Sequence, residues 1–163
     1  VSKTYVAIVR GHVARDQMTI SRPVGRHPTQ RHRMSVASRS GREAVTRLRV
    51  LKRLGSADAP QLANTLVCLK PETGRTHQLR VHLASIGHPC LGDRAYGGRA
   101  ARGGAGEMFS RQALHAIALA LNHPRSGVRM EFVASLPHDL LQYLVANGVA
   151  ADTRSAERWA AFE

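Results

Sequence analysis

Apolar and polar positions alternate along much of this chain, and that spacing predicts strands. Residues 3–9 form a β-type run closed by Gly11, and 17–21 predicts a short returning strand. Over 44–52, Thr46, Leu48 and Val50 point one way and Arg47 and Arg49 the other, the pattern of a half-buried strand with a cationic face. Residues 62–69 are apolar on both parities, as expected of a strand buried on both faces. Over 113–121, Ile117, Leu119 and Leu121 share one face, and Ala116, Ala118 and Ala120 leave the other open to close approach. Residues 128–134 predict its hairpin partner across the turn 124–127.

The period changes in three places. Leu79, Leu83 and Ile86 stand at i, i+4 and i+7, with Thr76 as the expected N-cap and Gly87 before His88-Pro89 as the expected stop. Pro137 suits the first turn of a second helix carrying Leu140, Leu141, Leu144 and Val145 and stopped by Gly148. Residues 155–162 predict a short terminal helix with Trp159. Residues 22–42, 55–60, 92–98 and 99–106 read as connectors, loops and a turn. No internal repeat or linker divides the 163 residues, a length suited to one domain.

Charge changes the picture. The net charge is +13, and residues 1–53 hold 13 basic against 2 acidic groups, a net of +11 against +2 for the remainder. Such a lopsided field suits a polyanion, and no basic amphipathic helix points to a lipid surface instead. Arg22, Arg26, Arg31, Arg33, Arg39 and Arg42 follow one another with no acidic residue before Glu43, which reads as a loop tracking phosphates. Only 4% of residues are aromatic, so extensive stacking of bases on aromatic platforms is not expected. No transmembrane run or signal peptide appears, and a soluble, cytoplasmic protein without a membrane partner is the expectation. Cys68 and Cys90 read as reduced core residues.

No metal cluster is expected, since His77 and His82 face different sides of one helix and His115 and His123 lie eight apart. Nor does any nucleotide-binding glycine loop occur. One cation stands out. Arg80 lies roughly 100° around the helix from Leu79, at the edge of the buried stripe. A guanidinium there either snorkels to water or needs an acidic partner or a phosphate.

The stretch GRTHQLRVHLASIGHPCLGDRAYG, residues 74–97, resembles the signature of RNA pseudouridine synthases of the RluA type. Flanking matches to that family include Lys3-Thr4-Tyr5, Pro23-Val24-Gly25-Arg26-His27-Pro28, Arg111 to Ala116, and Asn122-His123-Pro124. The resemblance implies an α/β (α+β) fold, a mixed and largely antiparallel sheet with flanking helices. It also implies an isomerase that breaks the glycosidic bond of a uridine in RNA, turns the uracil and rejoins C5 to the ribose, with no cofactor and no metal. The target nucleotide has to leave its stack, at a cost of a few kcal/mol. Ribosomal RNA is favoured over transfer RNA by the KTY and PVGRHP stretches.

By the same resemblance Arg80 would pair with the catalytic aspartate, Leu79 would pack below the uracil and Tyr5 would flank it. Arg26, Arg31, Arg33, Arg47, Arg75 and His77 would hold the RNA backbone. The family's aspartate stands in an H-R-L-D stretch, which this sequence lacks; its aspartates are Asp16, Asp58, Asp93, Asp139 and Asp152, and Asp93 matches a structural turn. The expectation is therefore that residues 1–163 are the C-terminal portion of one catalytic domain, inactive alone, with Arg80 facing no acid until the N-terminal part supplies it. The alternative is a catalytically inactive RNA-binding module.

Overall fold

β1, Ser2–Arg10, occupies the interior of the sheet that organises the molecule. A computed structural model describes residues 1–30, 32–55, 63–98, 107–151 and 155–161. The remaining strands are β2 Gln17–Ser21, β3 Gly25–Arg26, β4 Met34–Ser35, β5 Val45–Leu54, β6 Asn64–Pro71, β7 Leu114–Asn122 and β8 Arg129–Val133. Six of them form one sheet in the order β2-β5-β6-β1-β7-β8, with every pairing antiparallel. Three helices accompany them: α1 Gln78–Ser85, α2 His138–Ala146 and α3 Ser155–Ala160. This is the largely antiparallel α+β architecture expected.

The sheet is covered on both faces. On one, Leu79 and Leu83 of α1 pack on Ala7, Val9, Leu48, Val67 and Leu69. On the other, Leu140, Tyr143 and Leu144 of α2 and Ala156 of α3 pack on Val6, Ile8, Leu66 and Ile117. β6 lies between them, buried from Asn64 to Leu69, which accounts for its apolar run on both parities. Trp159 packs against the α2 side, and Cys68 and Cys90 are free and buried.

Two bulges alter the simple alternation. The β5–β6 register shifts between Val50 and Lys52, so Leu48 faces α1 whereas Leu54 faces α2. The β1–β7 register shifts between Thr4 and Tyr5, leaving Ile117 as the extra residue. In α2 Tyr143 is buried beside Leu140 and Leu144, its hydroxyl accepting from Asn64 Nδ2 (2.9 Å), whereas Val145, expected on the apolar stripe, is 57% exposed. A helix docked through i, i+3 and i+4 turns its fifth position outward.

The arginine-rich connector is more ordered than a loop. β3 and β4 pair as a small hairpin, and Val24 with Val81, Met34, Val36 and Tyr96 forms a minor core on the side of α1 away from the sheet. Three scattered apolar side chains among arginines, Val24, Met34 and Val36, carry no readable period, which is why the sequence hides it. No helix among the described residues is long and apolar enough to cross a membrane. The expected loops at 55–60 and 99–106 and the start of the 62–69 strand fall largely or wholly outside the described residues.

Candidate active site

The helix begins one residue later than expected, and the reason shapes the site. Thr76 is not the cap: His77 occupies that position in the left-handed region, φ 55°. A non-glycine residue there is uncommon and costs energy, so the surroundings must hold it. Gln78 holds it. Its buried amide oxygen accepts from Thr73 Oγ1 (2.8 Å) and the Arg75 amide (3.0 Å). Its Nε2 donates to the Val45 carbonyl (3.0 Å) and Thr46 Oγ1 (3.1 Å). Each hydrogen-bonding position of the amide is used, and residues 73–78 are fixed to the start of β5.

One turn further, Arg80 meets Asp93. Nε and Nη2 donate to the two carboxylate oxygens at 2.7 and 2.8 Å, a bidentate pair with side-chain exposures of 15% and 0%. This corrects the expectation that Arg80 has no acid opposite it. Asp93 belongs to the turn after Gly92, where φ is +67° and a Cβ would press on the Arg111 carbonyl, so only glycine brings the carboxylate round. Asp93 Oδ1 also accepts the amides of Ala95 and Tyr96, both at 3.0 Å. Burial pushes the Asp93 carboxyl up, but the Arg80 hydrogen bonds and these amides outweigh it and hold it below the usual range. The same hydrogen bonding raises Arg80, so the guanidinium remains charged.

Tyr96 covers that guanidinium, its ring 4.8 Å from the Arg80 carbon centre, and Arg33 lies 5.2 Å from the ring. The Tyr96 hydroxyl accepts the Met34 amide (3.0 Å) and lies 2.9 Å from His77 Nδ1. Desolvation, and then the neighbouring Arg80 charge, lower the His77 pKa.

His77, Gln78 and Arg80 border a cleft of about 610 Å³, inside the ~300–1,000 Å³ range of small-ligand sites. Lys3 and Tyr5 of β1 form one wall; Arg75, His77, Leu79 and Arg80 form the other. The bulge beside Tyr5 sits at this rim, where bulges commonly re-aim a side chain. Of the predicted RNA contacts, Arg75 and His77 line the cleft, and Arg75 Nε also donates to the Glu43 carbonyl (3.1 Å). Arg47 pairs with Glu72 at the rim. Arg33 stands behind Tyr96, Arg26 is exposed on β3 away from the cleft lining, and Arg31 lies outside the described residues. Among the described residues no group of three or more His, Cys, Asp or Glu side chains is placed to hold a metal. His82 is wholly buried, with Nε2 donating to the Arg22 carbonyl and Nδ1 facing Thr46 Oγ1, each at 2.9 Å.

A family model described as RNA pseudouridylate synthase matches residues 1–85, more than half of the chain and up to the end of α1. The chain belongs to the RNA pseudouridylate synthase family. Among relatives of this family, the ribosomal large subunit pseudouridine synthase D of Vibrio cholerae is 44% identical over 154 residues, covering 90% of this chain and 45% of that protein. The Pseudomonas aeruginosa protein of the same name is 44% identical over 152 residues, covering 88% and 45%. The chain thus spans less than half the length of these curated relatives. Human RNA pseudouridylate synthase domain containing 1 superposes with a TM-score of 0.73 at 31% identity, covering 99% of this chain and 66% of that one. Human RNA pseudouridylate synthase domain containing 4 gives 0.64 at 26%, covering 88% and 61%.

Three residues of the site escaped the sequence reading: Asp93 as the partner of Arg80, Gln78 as the staple of the turn, and Tyr96 as the plate over the guanidinium. Only Asp93 left a trace, a buried-type turn motif thirteen residues from a half-buried arginine.

Proposed function

We propose that residues 1–163 form the part of a ribosomal RNA pseudouridine synthase that receives the target uridine, with the catalytic aspartate supplied by a segment beyond them. What carries the reading is the Arg80 guanidinium. Its Nε–Nη2 edge is committed to Asp93, Nη1 meets no hydrogen-bonding partner among the described residues, and the side chain lines the same cleft as Tyr5 and Leu79. A cation fixed through one edge and facing a cleft is preorganised to hold a second carboxylate ionised, with a neighbouring opposite charge lowering a carboxyl pKa by roughly 1–3 units. Asp93 cannot serve as that acid, because its side chain is fully buried and both oxygens are occupied. Glu72, the carboxylate lining the cleft, is paired with Arg47.

In this reading Leu79 supports one face of the extruded uracil and Tyr5 flanks it. The N1–C1′ bond breaks, the uracil turns, the C5–C1′ bond forms, the C5 proton leaves and N1 takes up a proton, so the product is an isomer. Arg75, Lys3 and the arginines of β3–β5 steer and hold the RNA backbone. The relatives' names, each specifying the ribosomal large subunit, support ribosomal RNA as the substrate class.

The test is a chimera in which residues 1–163 replace the matched stretch of the Vibrio cholerae relative. On large-subunit RNA labelled with tritium at uridine C5, the chimera should release tritium to water and the isolated chain should release none. Release by the isolated chain would refute the need for an outside aspartate. A chimera that binds RNA tightly but never releases tritium would favour a binding module.

A further inference from the structure

Tyr96, stacked on the Arg80 guanidinium, links His77 to the Met34 amide through its hydroxyl. One arrangement of their hydrogen bonds gives the Met34 amide and the phenolic proton each an acceptor among the described residues. The Met34 N–H can only donate, so the Tyr96 oxygen accepts it. A hydroxyl oxygen can accept twice, but an Nδ1–H donor would leave the phenolic proton with no partner among the described residues; directed to His77, 2.9 Å away, that proton makes Nδ1 the acceptor. An imidazole that accepts at Nδ1 is neutral and carries its proton on Nε2. His77 is exposed, lines the cleft, and meets no hydrogen-bond partner at Nε2 among the described residues. The left-handed backbone at His77 aims the ring this way, against the local preference of a side-chain-bearing residue.

We propose that His77 is a specificity-determining contact that offers a neutral Nε2–H donor to an uncharged oxygen of the bound RNA, and that Tyr96 is the positioning residue fixing that tautomer. This rests on the reading of the cleft as an RNA site, and it replaces the expectation that His77 holds backbone phosphate. Charge argues the same way. Arg80 and Arg33 both border the Tyr96 ring, and an imidazolium at His77 would add a third cation to that cluster. Tyr96 also joins the arginine-bearing hairpin, through Arg33 and Met34, to the cleft. Seating of RNA on the hairpin and aiming of the donor are thereby mechanically connected.

Nitrogen-15 NMR of the histidine rings in the 163-residue chain reads the tautomer directly. His77 should be Nε2-protonated at pH 7, and Tyr96→Phe, which keeps the ring over Arg80 but removes the hydroxyl, should convert it to a mixture of tautomers. In the chimera, binding of a fluorescein-labelled RNA hairpin with a uridine in its loop is then measured against salt. His77→Gly, which suits the left-handed backbone, should weaken binding about fivefold, the worth of one neutral hydrogen bond, with an unchanged salt slope. Arg75→Ala should instead flatten the slope by about 0.7–0.9, one lost phosphate contact. Tyr96→Phe should weaken binding by less than His77→Gly and add nothing to it in the double variant. An Nδ1-protonated or cationic His77 in the wild type would overturn the proposal, as would a flatter salt slope in His77→Gly. A chimera that binds RNA as described yet lacks isomerase activity would defeat the catalytic reading and leave this one standing.

Discussion

Replacing Asp93 with alanine is the sharpest perturbation of the site that leaves the cleft lining untouched. Four hydrogen bonds end on that carboxylate: two from Arg80, and one each from the amides of Ala95 and Tyr96. With side-chain exposures of 15% for Arg80 and 0% for Asp93, little water stands ready to replace them. Removing one partner of a buried pair costs about 3–5 kcal/mol, because the other charge stays desolvated. Against a total stability of about 5–15 kcal/mol for a domain, that is a large share.

Asp93→Asn keeps an oxygen for the two amides but turns a donor toward Arg80. It should cost about 1.5–3 kcal/mol, the range for hydrogen bonds to a charged group. The assay is urea unfolding followed by the fluorescence of Trp159, the sole tryptophan. Arg80→Ala and the double variant complete a cycle whose coupling should reach about 2–3 kcal/mol. Because the Asp93 pKa is depressed by folding, its contribution is fully present above the ordinary carboxyl value and is lost as pH falls below about 4. The gap between wild type and Asp93→Asn should close over that range. A cost under about 1 kcal/mol for Asp93→Ala at pH 7 would refute the buried-pair account.

Two further outcomes follow from the same geometry. Gln78→Leu strands the partners of a fully used buried amide, so it should lower stability by about 2–4 kcal/mol and speed hydrogen exchange at the Arg75 amide; unchanged exchange there would rule out the staple. His82 is held neutral, its pKa lowered by burial, so its contribution is complete above the ordinary histidine value of about 6.5 and is lost as pH falls below it. The urea midpoint should therefore drop between pH 7 and 5, less steeply in His82→Ala, and a His82 ring titrating near 6.5 would contradict this.

Much of the fold was legible because burial writes period two or a continuous apolar run directly into the chain. β1, β5, β6 and the β7–β8 hairpin all show it, and Gly11, Gly87 and Gly148 mark stops that the structure keeps, each at positive φ. What stayed hidden depends on contacts distant in sequence. The bulges at Leu51 and Ile117 exchange faces without any residue type announcing them. The start of α1 is set by Gln78 bonding to β5 some thirty residues away, which overrides the capping preference of Thr76. Arg80, Leu79 and Tyr5 were named from resemblance and do share one cleft, whereas the partner of Arg80 could not be read from spacing, because Gly92 must fold Asp93 back onto the helix. The arginine run was visible as charge, but its hairpin rests on Val24, Met34 and Val36, too few to form a pattern.

The role of Arg80 is the claim from which the rest descends, and separating turnover from affinity in the chimera tests it most directly. Arg80→Ala should cut tritium release from C5-labelled RNA at least a thousandfold, about 4 kcal/mol of barrier, while RNA affinity falls no more than about fivefold, as for any one contact. Wild-type turnover in Arg80→Ala, or a loss of affinity as large as the loss of turnover, would contradict the account.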